Sequence, residues 1–62
     1  MHNELRKAQL AAKAKLASNL ALWWAIKALD YKPGSPLLSL AEKKKQEKMN
    51  EANYYRKQLQ SI

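Results

Sequence analysis

The 62 residues predict an all-α protein, a two-helix antiparallel hairpin assembling as a homodimeric four-helix bundle. Three features predict it. Two long helix-forming arms flank a single strong break at Lys32-Pro33-Gly34-Ser35-Pro36. The first arm is apolar around too much of its circumference for one neighbour to cover. The second carries a narrow apolar stripe that fits one neighbour.

Helix 1 is expected over about residues 3–31, with Asn3 as its cap and Glu4 in the first turn, where a negative charge suits the helix dipole. At 100° per residue its apolar side chains, from Leu20 round to Ile26, spread over about 240°, against about 100° for a one-sided helix. The excess implies a partner surface, most simply another copy of the chain. Ala14, Ala17, Ala21, Ala25 and Ala28 lie near one another and permit close axial approach. Leu16, Leu20, Trp23, Trp24 and Ile26 are the expected oligomer interface. Full burial of either indole is worth about 4–6 kcal/mol at 150–250 Å² each. The two indoles point about 100° apart, so one is expected to serve the hairpin and the other the subunit seam. Asn19 either fixes register across a helix interface or faces solvent, and Lys27 and Asp30 lie near it on the wheel.

The turn occupies residues 32–36. Pro33 pushes Lys32 out of the helical region, Gly34 accepts a positive φ, and Ser35-Pro36 has the order of an N-cap and first helical residue. Ser39 offers a competing start through its capping-box spacing to Glu42, which would leave Leu37 and Leu38 in the loop. Helix 2 therefore begins at Pro36 or Leu40 and is expected to reach about Ser61. Its stripe is Leu38, Ala41, Met49, Ala52, Tyr55, Leu59 and Ile62, with Lys45 falling inside it. Residues 1–62 form one domain.

Composition limits the function. A chain of this length buries only about 60% of its unfolded surface, and with no Cys it has no disulfide to help. Oligomerisation is the remaining staple. The lack of Cys fits a reducing compartment, and the protein is read as soluble and cytoplasmic. The apolar run is interrupted by Ser18, Asn19 and Lys27 and falls short of the roughly 20 residues that span a bilayer, so no membrane partner is expected. Catalysis has little to work with: His2, expected to be disordered, is the single histidine. No Gly-rich phosphate loop or metal-ligand spacing occurs, so neither enzyme activity nor a cofactor is expected.

The net charge is +7. Lys43, Lys44, Lys48, Tyr54, Arg56 and Lys57 are expected to stay exposed and form the candidate partner surface. Glu42, Glu47 and Glu51 interleave with the lysines at helical spacings that suit an ordinary solvated face. The alternative is a basic dimer binding nucleic acid mainly through phosphate.

Taken as a whole, the stretch around Leu22-Trp23-Trp24-Ala25-Ile26, the Lys32–Pro36 break and the tail Asn53-Tyr54-Tyr55-Arg56-Lys57-Gln58 resemble the very small helical proteins encoded in the early exo to xis region of lambdoid bacteriophages. The resemblance implies an early protein of the bacterial host cytoplasm. It also implies a role in host cell-cycle behaviour and in the choice between lytic and lysogenic development, exerted through contacts with host or phage proteins. It carries over no catalytic residue.

Overall fold

The computed structural model describes residues 2–62. It consists of two helices, α1 (His2–Leu29) and α2 (Pro36–Gln60), packed against each other along their length. The Cα trace measures 50 × 14 × 11 Å, a rod two helices wide. Its radius of gyration is 14.5 Å, against about 10.6 Å for a compact domain of the same length.

α1 starts one residue earlier and ends two residues sooner than the sequence suggests. His2 is helical backbone and not a disordered terminus, which puts Asn3 inside the first turn and not at the cap. At the other end, Pro33 denies Lys32 the helical conformation, and the chain leaves α1 through two tighter turns. There the Asp30 N–H donates to the Lys27 carbonyl at 3.0 Å and the Tyr31 N–H to Ala28 at 3.3 Å.

The reversal is a β-turn from Lys32 to Ser35, closed by the Ser35 N–H on the Lys32 carbonyl at 3.1 Å. Pro33 occupies the first central position and Gly34, at φ +83°, the second, the order of a type II turn. Ser35 then caps α2. Its backbone is extended and its hydroxyl accepts from the Leu37 N–H at 3.2 Å. Ser39 is thus a helical residue, its N–H donating back to Ser35, and Leu37 and Leu38 belong to the first turn of α2.

Nothing crowds the Gly34 Cα, so the demand there is on backbone angle alone. Gly34→Ala is expected to destabilise the hairpin by about 1–2 kcal/mol, the cost of a left-handed L-residue. Replacement by D-alanine, which favours positive φ, should restore or exceed the wild-type urea midpoint. Equal midpoints for L- and D-alanine would contradict the turn assignment.

The seam follows a strict alternation of three- and four-residue steps on both helices. On α1 it runs through Leu10, Ala14, Ala17, Ala21, Trp24 and Ala28 and continues to Tyr31 just past the helix. On α2 it runs through Leu38, Ala41, Lys45, Lys48, Ala52, Tyr55 and Leu59 and continues to Ile62 just past the helix, and every one of these residues is buried or half-buried. This 3.5-residue repeat is that of a left-handed coiled coil. Its most buried members are small: Ala17, Ala41 and Ala52 are 3%, 0% and 2% exposed, and no large side chain is fully buried. Alanine lets the two helices approach closely but removes little apolar surface from water. Two features of the predicted stripe change. Met49 is exposed beside the seam, and Lys48 occupies the position its stripe assigned to it. Lys45 and Lys48 lie half-buried with their stems available to cover the seam, and the Lys48 Nζ meets Glu51 at 3.3 Å.

Candidate interaction surface

With alanine inside, the large apolar side chains are outside. Leu16, Leu20, Leu22, Trp23, Ile26 and Leu29 are all exposed on α1. Helical geometry sorts them into two flanks. Leu16, Leu20 and Trp23 lie about 70–130° from the seam on one side, and Leu22, Ile26 and Leu29 about 110–170° from it on the other.

The first flank is concave. Leu16, Asn19, Leu20, Trp23 and Trp24 line a shallow groove of about 410 Å³. Four of the five expected interface residues therefore come together, and Ile26 stands apart on the opposite flank with Leu22. The indoles divide at the hairpin, where Trp24 meets the seam and Trp23 does not, but both also line this groove. Trp24 is half-buried at the seam and Trp23 is 48% exposed beside it. Their rings meet edge to face at 4.7 Å and 85°, since an indole is long enough to bridge the angle between adjacent Cβ directions. Lys27 brings its ammonium to 5.4 Å from the Trp23 ring, a cation–π contact at the groove's edge. Asn19 is exposed at the groove and not buried at the hairpin seam.

The expected partner surface on α2 is less uniform. Lys43, Tyr54, Arg56 and Lys57 are exposed, whereas Lys44 and Lys48 are half-buried. Lys44 and Lys48 also pair with Glu47 at 3.7 Å and Glu51 at 3.3 Å, the two ion pairs among the described residues. Arg56 is tied into the fold instead: one guanidinium nitrogen donates to the Ser18 hydroxyl at 2.8 Å and the other to the Asn53 side-chain oxygen at 3.4 Å. The Arg56–Ser18 bond joins residues 38 apart in sequence, and sequence reasoning missed it. Beside it, Tyr54 and Tyr55 form an edge-to-face pair at 5.6 Å, and the Lys13 ammonium sits 5.9 Å from the Tyr55 ring.

Among the described residues no three His, Cys, Asp or Glu side chains gather as metal ligands. No helix there is long and apolar enough to cross a membrane. The geometry defines an antiparallel two-helix hairpin with an alanine seam and an apolar outer groove. Comparison with protein-family models, curated proteins and solved structures finds no match to this chain.

Proposed function

We propose that the chain is a non-enzymatic interaction protein that self-associates through Leu16, Leu20, Trp23 and Trp24, two hairpins closing into a four-helix bundle whose exterior engages other proteins. The observation that carries this reading is the surface left over. A folded monomer of 7.1 kDa is expected to expose about 4,100 Å², and the chain exposes 5047 Å². The excess is close to the roughly 800 Å² that each partner contributes to an ordinary stable interface. The groove is also rich in tryptophan, the residue type most enriched where interface energy concentrates. Together with the resemblance to lambdoid early-region proteins, this supports a regulatory role in phage-infected bacteria, acting on host cell-cycle behaviour and the lytic or lysogenic outcome through protein contacts.

Sedimentation equilibrium across a concentration series tests the assembly. The expected result is a mass twice 7.1 kDa that declines on dilution. A well-folded species of 7.1 kDa at every concentration would overturn it.

A further inference from the structure

The cations are unevenly compensated along the rod. Near the turn, Lys44 pairs with a carboxylate and Glu42 and Asp30 stand among the other lysines. The open end joins the start of α1 to the end of α2. Between residues 3 and 18 it holds Arg6, Lys7, Lys13 and Lys15 against the single acid Glu4, and between 51 and 62 it holds Arg56 and Lys57 against Glu51, which pairs with Lys48. Among the described residues none of these six cations has a carboxylate within ion-pair distance.

Arg56 is the fixed point of this end. Ser18 and Asn53 hold its guanidinium across both helices, and both are neutral, so its orientation is set while its charge is left intact. Ser18, Asn53 and Arg56 line a hollow of about 190 Å³ on one side of the seam. Leu16 points about 160° away from Ser18, so a second copy seated in the tryptophan groove leaves this hollow open. Lys7 and Lys15 border the same side of α1, separated by about 12 Å along its axis, and Lys57 follows Arg56 on α2. One strand of a duplex presents a charge every 3.4 Å or so, about four phosphates over that length. Uncompensated cations on both sides of an oriented guanidinium suit a phosphodiester backbone.

We infer that the face carrying Lys7, Lys15, Arg56 and Lys57 binds the backbone of double-stranded nucleic acid, independently of sequence. The test is fluorescence anisotropy of the full-length protein with a labelled 16-base-pair DNA duplex, titrated at several salt concentrations. Lys15→Gln and Arg56→Gln are each expected to weaken binding about tenfold and to lower the log–log salt slope by about one. Lys43→Gln, an equal change of charge at the other end, should stay within about twofold of wild type. Lys15 makes no side-chain hydrogen bond or ion pair, so its variant separates loss of a phosphate contact from loss of fold. Equal losses for Lys15→Gln and Lys43→Gln would reduce the binding to diffuse charge and overturn the site. Absence of duplex binding at low salt, or binding of phosphatidylglycerol vesicles in its place, would overturn it as well.

Discussion

Ala41→Leu is expected to remove a large share of the hairpin's stability. Ala41 is fully buried on the face of α2 that meets α1, with none of its surface left to solvent. Three added carbons have no space to enter without separating the helices or displacing side chains from their rotamers. Overpacking of this kind costs about 1–3 kcal/mol, while 62 residues supply about 3–9 kcal/mol in total at typical per-residue stabilities. Ala52→Leu should act similarly toward the open end. Ala12→Leu is the matched control, because Ala12 is exposed and leucine is nearly as good a helix former as alanine. Far-UV circular dichroism in urea should show a much lower midpoint for the first two and a wild-type transition for the third. Three superimposable curves would mean that the seam is not closely packed.

The second large effect separates assembly from fold at adjacent positions. Trp23 leaves half its surface in water within the hairpin, so Trp23→Ala should preserve helicity while raising the dimer dissociation constant at least 30-fold, about 2 kcal/mol. Trp24 stands at the seam, so Trp24→Ala should also lower the stability of the hairpin, by about 2 kcal/mol, part of the cost of truncating a fully buried indole. Leu16→Glu should reproduce the Trp23 result, since a carboxylate would be stranded in the covered groove. Ile26→Glu, on the other flank, should leave the mass unchanged. Dissociation by Ile26→Glu and not by Leu16→Glu would move the interface to the Leu22 and Ile26 side.

Much of the fold was readable because it rests on local signals. The Pro33-Gly34 turn, the Ser35 cap and the alanine face of α1 are each decided within a few residues. Met49 was misplaced because the stripe was traced through apolar residue types. At 100° per residue Lys48 lies about 20° from the stripe's centre and Met49 about 80°, and the aliphatic stem of a lysine can cover a seam. Cβ directions tell which of Trp23 and Trp24 meets the hairpin seam, but they ignore the reach of an indole, which lets both rings line one groove. Arg56 and Ser18 could not be paired from sequence, because their meeting depends on the register between helices. That register is set by the turn and the seam together and by no motif near either residue.

With a second copy as the covering surface, as proposed, the alanine seam ties the lifetime of the chain to its abundance. A protein that keeps its large apolar groups on the outside draws its reserve of stability from whatever covers them. When the covering surface is another copy, the melting temperature rises with protein concentration. Scarce molecules then open readily and fall to proteases, and abundant ones shelter each other. Such a chain persists in proportion to more than its rate of synthesis, so a burst of expression is sharpened at its onset and cleared quickly once synthesis stops.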